Sequence, residues 1–482
     1  MLPKQYYATF ADYVETMKGF IQRGLLGVEL KFETPGQATE LDGKKVTSFA
    51  SNDYLSLIQD PRVMEAGSKA ALKYGTGAGS SMLGSGSLRI HRQLEEELAA
   101  YLEKDACMLF PTGYSAMLGY ASFNIINGSK IYSDSLNHRS MLDGMALGIG
   151  SIPDRSNQYH YFKHNSLEHL KMVHKLQHRP ERYDTLFIEG VYSMDGDQGD
   201  LRTLVPYATS ANMAVAVDDA HGLGVLGRNG RGAPDAHGVT KETDFILGTF
   251  SKSFATTGGF AVGDRDSILY MKANCSVYMF SASIIPVNVE TVRFILKLLL
   301  KDDSLQKKLW ENINYLKKSL KEASFDYGIS DSAVVPVILN DTEKAFYFSK
   351  RLLDLGVFVV AVCFPVVKRG QERLRISVNA GHSSKDIDNL VGGLVKIRKE
   401  WEDAGNKIPA SFQPNVQVHD MAPSTNGKSP SVGGANGNSK VFEVVKSKVI
   451  EILPDVKAAD ITPDKSLKDL GANSVDRVEV AM

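Results

Sequence analysis

The sequence predicts an α/β protein, with a large domain around a mainly parallel sheet followed by a smaller α+β C-terminal domain. Two observations carry this. Short apolar runs alternate with helical stretches through the first half of the chain, the rhythm of βα units. From about residue 290 longer helical stretches take over, with isolated strand-like runs between them. The length of 482 residues agrees, being more than one simple core accommodates.

Taken in order, residues 61–74, "PRVMEAGSKAALKY", read as a helix started by Pro61 and stopped by Gly75. Residues 91–104 read as a second helix, acidic near its start. The runs "ACMLF", "KIYS", "TLFIEG", "MAVAVDD" and "DFILGTF" read as strands, so active loops belong beyond their carboxyl ends. "VETVRFILKLLLKDDSLQKKLWENINYLKKSLKEA" reads as one long helical stretch. Strand-like "AVVPVIL", a helix at 342–355, a buried β-branched strand within "VFVVAVCFPVV", strand-like "RLRISVN" and a helix from 384 complete the smaller domain. "MAPSTNGKSPSVGGANGNS" has the composition of a flexible linker. Beyond it "KVFEVVKSKVIEIL" places apolar residues on one helix face, ended by Pro454. The expected divisions are an N-terminal arm (1–45), the large domain (46–290), the small domain (291–404), the linker (405–439) and a terminal segment (440–482).

Bulk properties exclude several function classes. The formal net charge of -1 gives no electrostatic basis for binding nucleic acid or an anionic membrane. No apolar run approaches the roughly 20 residues of a membrane span, and the N-terminus lacks the apolar core of a signal peptide. Cys107, Cys275 and Cys363 lie in apolar segments without metal-ligand spacing. They read as reduced thiols of a cytoplasmic protein, and no metal is expected.

The chemistry centres on "LGTFSKSFATTGG", 247–259, where Lys252 stands in a loop of small residues after a strand. Alone it reads as a solvated tip or ion-pair partner. Three other segments bear on it. In "VAVDDAHGLG", Asp218 and Asp219 end a strand with His221 just beyond. A carboxylate there suits a pyridinium nitrogen, as pyridoxal phosphate enzymes use, with lysine as the Schiff-base residue; a metal site or capped turn is the alternative. In "FPTGYSAMLGY", Thr112 and Gly113 precede a helix whose first amides suit a phosphate, or form an ordinary N-cap. In "SDSLNHRSMLDG", His138 is either a satisfied histidine or a ring placed to stack on a cofactor.

These segments carry a resemblance. From about 45 to 400 the chain resembles the α-oxoamine synthases, which include serine palmitoyltransferase, 8-amino-7-oxononanoate synthase and 2-amino-3-ketobutyrate CoA ligase. The matching stretches, in the family's order, are "SNDYLSL", "GTGAGSS" with "GSGSLRIHRQLEEEL", "SLNHRSMLDG", "IEGVYSMDGD", "VDDAHGLGVLG", "TFSKSF" and "RLRISVNAGH". The resemblance implies a fold-type I, aspartate aminotransferase-like architecture and pyridoxal 5'-phosphate as cofactor. It implies that Lys252 holds the cofactor, Asp218 pairs with its ring nitrogen, and His221 and Ser193 address its phenolic oxygen. His138 would stack on the ring, while Thr112, Thr249 and the Gly113 and Tyr114 amides would hold the phosphate. Ser281 would come from a neighbouring subunit, which implies a homodimer with a shared site. Arg375 would grip the amino-acid carboxylate near Asn52, with Arg373 the alternative, since both fall on one strand face.

The implied reaction is decarboxylative condensation of serine, alanine or glycine with an acyl thioester, giving an α-amino ketone, with the freed Lys252 as general base. Aldol cleavage or transamination on the same fold are alternatives. A non-catalytic partner subunit is a further one, disfavoured because Lys252 is present. Two departures narrow the reading. Where several family members carry arginine in the glycine-rich stretch, this chain has Met82 followed by Leu83, which points away from a succinyl group and towards a neutral, apolar one. That stretch follows a helix rather than a strand, so it is not a dinucleotide fingerprint. The tail, "LKDLGANSVDRVEVAM", resembles the phosphopantetheine site of acyl carrier proteins, with Ser474 as the attachment serine; a fortuitous capped helix is the alternative. Only about one or two helical turns follow Ser474, so the carrier is incomplete here and poor order is expected. A tethered carrier implies an acyl donor held on an acyl carrier protein rather than on free coenzyme A, the alternative donor, in natural-product or lipid assembly.

Overall fold

The computed structural model describes residues 17–20, 32–41, 43–153, 158–179, 183–409 and 411–412. The chain divides into two units, Met1–Val418 and His419–Met482. The second lies outside the described residues, as do Ser474 and most of the linker.

The first unit is organised by a seven-stranded sheet. Its strands are β3 (Ala106–Phe110), β4 (Ser129–Asp134), β5 (Tyr159–Phe162), β6 (Tyr183–Glu189), β7 (Ala214–Asp218), β8 (Phe245–Thr249) and β9 (Gly259–Gly263), in the order β3-β9-β8-β7-β6-β4-β5. From β8 to β5 every neighbouring pair is parallel. Antiparallel β9 is inserted between β8 and β3. The parallel strands are almost continuously buried, as expected of a sheet covered on both faces.

Two smaller sheets complete the unit. One joins β1 (Ala38–Leu41), β2 (Lys44–Ser48) and β11 (Val357–Phe358). The other joins β10 (Val334–Ile338), β13 (Arg373–Ser377) and β12 (Val360–Val362) in that order. The run "VFVVAVCFPVV", expected to form one strand, thus contributes to two sheets. Val357 pairs in parallel with Thr47, and Val360 pairs antiparallel with Arg375.

The helix over 61–74 forms as Pro61–Tyr74, with the Asp60 side chain capping the Arg62 amide and Gly75 at its end. The second helix runs Arg89–Tyr101, and its first turn contains no acidic residue. Glu95, Glu96 and Glu97 lie further along it, so the acidic start expected there is not found. The long helical stretch is broken into Pro286–Lys301 and Ser304–Glu322. At the break Asp302 is extended, and its carboxylate accepts hydrogen bonds from the Ser304 amide and hydroxyl, both at 2.8 Å. Aspartate competes for local amides in this way and so ends helices readily. Residue 290, where the large domain was expected to end, falls inside Pro286–Lys301. That helix packs on Pro61–Tyr74 and Arg89–Tyr101, whereas Ser304–Glu322 packs on the last described helix, Ser384–Asp403.

No described helix is long and apolar enough to cross a membrane. The three cysteines are buried and unbridged.

Candidate active site

The carboxyl ends of the parallel strands bring the chemistry together. Glu189 of β6 stands opposite Asp218 of β7, and Asp218 opposite Leu247 of β8, two residues before Thr249. On the far side Gly259 of β9 lies between Phe110 of β3 and Thr249 of β8. A Cβ at Gly259 would come within 2.3 Å of the Thr112 carbonyl oxygen, and one at Gly113 within 2.4 Å of Thr249 Cβ. Glycine at both positions therefore lets the start of helix Gly113–Ile126 close against the β8 end. Thr112 caps that helix by accepting from the Ser115 amide at 3.0 Å.

The result is a cavity of about 310 Å³. Of the residues expected to serve the site, Thr112, Gly113, Tyr114, His138, Asp218, His221, Thr249 and Lys252 all line it. Asn52, Ser193, Ser281 and Arg375 do not.

Charge in the cavity is set mainly by burial. Burial lowers the Lys252 amine to a pKa of about 8; Asp218 opposes this and Arg375 reinforces it. The Asp218 carboxyl is raised by burial, against the positive fields of Lys252 and His138. It accepts the Ala220 amide at 3.0 Å. Asp219 leads elsewhere: its Oδ2 accepts the Ala233 amide at 2.9 Å, and burial raises its carboxyl well above the usual range. Burial lowers both His138 and His221, and Lys252 nearby adds to the effect at each. His138 caps helix Arg139–Gly150, its Nδ1 accepting the Ser140 amide at 3.3 Å. An accepting Nδ1 leaves the hydrogen of the neutral ring on Nε2.

A polar relay runs from the cavity to the missing residues. The fully buried Tyr54 hydroxyl lies 2.6 Å from His221 Nδ1 and 3.4 Å from Asn52 Oδ1. Arg375 donates from Nη1 to Asn52 Oδ1 at 3.1 Å and to Ser377 Oγ at 3.0 Å, and from Nε to the Ser193 carbonyl at 2.7 Å. Ser193 supports Arg375 through its backbone carbonyl. Arg373 is consumed by an ion pair with the part-exposed Asp195 at 2.6 Å and by the Met194 carbonyl at 3.0 Å. Of the two arginines, Arg375 is the one without a carboxylate partner among the described residues. Ser281 donates to the Val277 carbonyl at 2.6 Å, beside a bridge between Ala282 and Ser81 of the glycine-rich stretch. Met82 is buried and Leu83 exposed, and neither lines the cavity.

Two functional-looking residues escaped the sequence reading. Glu189 lines the cavity almost fully buried, its carboxyl raised well above the usual range by burial and then by Asp218. Its signal is the one used for Asp218, an acid at a strand's carboxyl end. Tyr54 lies inside the quoted "SNDYLSL", but nothing local shows that it reaches His221.

The loops bearing His138 and Ser193 are tied together behind the cavity. His164 bridges two buried carboxylates, with Nδ1 3.1 Å from Asp134 and Nε2 2.8 Å from Asp197. Burial opposes a charged ring, but the two carboxylates outweigh it and raise the pKa to about 10. The stabilisation is complete below the unfolded value of about 6.5 and fades as pH rises through 10. Replacing His164 with asparagine is expected to cost about 3 kcal/mol at pH 7 by leaving two unpaired buried carboxylates. Thermal midpoints of parent and variant should converge as pH is raised through 10; a constant gap would rule out this account.

Comparison with known proteins places these features together. The family described as aminotransferase class I and II matches residues 44–394. A serine palmitoyltransferase of Sphingobacterium spiritivorum is 38% identical over 363 residues, 75% of this chain and 89% of that protein. An 8-amino-7-oxononanoate synthase of Alkaliphilus metalliredigens is 36% identical over 371 residues, 77% of this chain and 92% of that protein. Among solved structures, a serine palmitoyltransferase variant from S. paucimobilis with bound PLP–myriocin aldimine superposes with a TM-score of 0.77 at 29% identity, covering 82% of this chain and 99% of that one. The Sphingomonas wittichii serine palmitoyltransferase gives the same score at 27% identity, covering 83% and 99%.

Proposed function

The chain belongs to the aminotransferase class I and II family, and we propose that it is an α-oxoamine synthase, joining a small amino acid to an acyl thioester with loss of carbon dioxide. The observation that carries this reading is the cavity shared by Lys252 and the buried Asp218, with a helix N-terminus at Gly113 on its wall. The residues suit pyridoxal phosphate: a raised, buried carboxyl that needs a cation, a lysine poised near neutrality, and free first-turn amides for a phosphate. When bound, pyridoxal phosphate supplies an electron sink for the pair left at the amino acid's α-carbon.

Each residue then has a defined task. Lys252 would hold the cofactor, and its amine, lowered to about 8 by burial, would serve as the base for the α-proton. Asp218 stabilises positive charge on the ring nitrogen. Burial pushes the Tyr54 hydroxyl pKa up, so it stays protonated and donates to His221 Nδ1; the His221 Nε2–H is left for the cofactor's phenolic oxygen. Thr112, Thr249 and the Gly113 and Tyr114 amides would hold the phosphate, and His138, on the cavity wall, would be available to the ring. Arg375, fixed by Asn52, Ser377 and the Ser193 carbonyl, receives the amino-acid carboxylate. Ser281 from a second copy completes the site in a homodimer. The acyl group is neutral and apolar, and the donor is held on coenzyme A or on a carrier such as the segment around Ser474.

Uptake of the cofactor should report the Lys252 environment. Only the free amine attacks an aldehyde, so uptake by cofactor-free protein is expected to accelerate about tenfold per pH unit below 8 and to level off above it. Stopped-flow absorbance measures this; a profile still rising at pH 10 would mean an ordinary lysine.

The function is tested by supplying serine, alanine or glycine with acyl thioesters of several lengths, on coenzyme A and on a carrier. Carbon dioxide, free thiol and an α-amino ketone should appear in equal amounts. Formation of an aldehyde or an α-keto acid instead would replace condensation with cleavage or transamination.

A further inference from the structure

At the opposite end of β6 from Glu189, about 16 Å away along the strand, lies a second cluster of ligating side chains. Helix Leu167–Gln177 carries His174 in its last turn, and His178 follows at its C-cap. Asp184 is the second residue of β6. The ligand atoms of these three residues all lie within 4.8 Å of one another. His174 Nε2 is 3.0 Å from Asp184 Oδ2, and His178 Nδ1 contacts the same oxygen. The sequence reading expected no metal, since the cysteines lack ligand spacing and the segments around Asp218 and His221 offer no further ligand cluster.

Two imidazoles converge on one carboxylate oxygen while the other is left over. The Asp184 side chain is 2% exposed, yet among the described residues its Oδ1 meets no hydrogen bond of good geometry, the nearby Tyr132 hydroxyl being its candidate donor. Buried polar atoms are seldom left so. The far side of His174 is already arranged as in a metal site, with Nδ1 2.9 Å from the Tyr207 hydroxyl. A hydrogen bond there fixes the tautomer that frees Nε2 for a metal. His178, at 42% side-chain exposure, leaves a route from solvent.

We propose that His174 Nε2, His178 Nδ1 and the Asp184 carboxylate bind a zinc-class divalent ion, with water in the fourth position. Tetrahedral zinc, with bonds of about 2.0–2.1 Å, separates its ligand atoms by roughly 3.4 Å. Small side-chain rotations therefore convert the present contacts into that geometry. Two imidazoles and one carboxylate favour zinc over magnesium or calcium, which take oxygen ligands. The ion clips the end of helix Leu167–Gln177 to the start of β6. It stabilises the sheet without entering the reaction, and it does not depend on the proposed activity.

The test uses tag-free, chelator-treated holoenzyme titrated with zinc chloride against a chromophoric competitor, with thermal midpoints measured in parallel. The parent is expected to bind about one zinc ion per chain at this site and to gain several degrees in midpoint. His178→Ala should weaken binding at least tenfold and abolish the midpoint gain on adding zinc, whatever the lost His178–Asp184 contact takes from the zinc-free midpoint, while turnover stays at the parental value. Asp184→Asn should weaken zinc similarly. Magnesium chloride should shift neither protein. Equal zinc affinity in the parent and His178→Ala, or no binding to the parent, would overturn the proposal.

Discussion

Replacing Lys252 with alanine is expected to lower turnover by at least about a thousandfold without harming the fold. One amine performs two tasks, holding the cofactor and moving the α-proton, so both are lost together. The fold should not suffer, because the amine is a liability in the folded state. Its pKa is about 8 in the protein and 10.5 in an ordinary chain, so at pH 7 the folded state carries a charge that burial disfavours. Alanine removes that cost, and the thermal midpoint of cofactor-free variant should equal or exceed the parent's. Borohydride treatment followed by peptide mapping should place a pyridoxyl group on the Lys252 peptide of the parent and nowhere in the variant. A variant that keeps a tenth of parental turnover would remove Lys252 from the reaction.

The parts of the site legible in the sequence are those attached to strand ends. Lys252, Asp218 and Thr249 follow apolar runs whose carboxyl ends align in a parallel sheet, and there the structure collects them. What could not be read depends on contacts between distant segments. Antiparallel β9 is bracketed by Gly259 and Gly263, and glycines normally signal a loop; the glycine at 259 is there because the Thr112 carbonyl approaches it. A β-branched run such as "VFVVAVCFPVV" reports burial but not which sheet will pair with it, and it split between two. Alternation along β13 put Arg373 and Arg375 on one face, and their partners alone distinguish them: Asp195 neutralises Arg373, while Asn52 and two further oxygens only position Arg375. Tyr54 and His221 are far apart in the chain, so their 2.6 Å contact leaves no local trace. The His174, His178 and Asp184 cluster is close in the chain, but its convergence depends on how a helix end packs on a strand start.

Asp218→Asn is expected to reduce turnover about a hundred- to a thousandfold while sparing cofactor uptake, and that split identifies its role. Asparagine keeps the shape and can still accept the Ala220 amide, but it supplies no negative charge to a ring nitrogen. Asp218 is also the strongest influence raising the Lys252 pKa. Without it the amine is free at lower pH, so uptake near pH 7 should hold or quicken as turnover collapses. Glu189 is the competing source of charge, facing Asp218 in register. The two carboxylates share one low-dielectric pocket, and like charges there do not both ionise. Burial raises both carboxyls; Asp218 raises Glu189 further, whereas Lys252 and His138 oppose the rise at Asp218, so of the two Asp218 is the one favoured to carry the charge. Glu189→Gln, which mimics the protonated acid, should therefore leave turnover within a few-fold of the parent. If Glu189→Gln instead collapses turnover and Asp218→Asn does not, the charge opposite the ring belongs to Glu189 and the assignment of Asp218 fails.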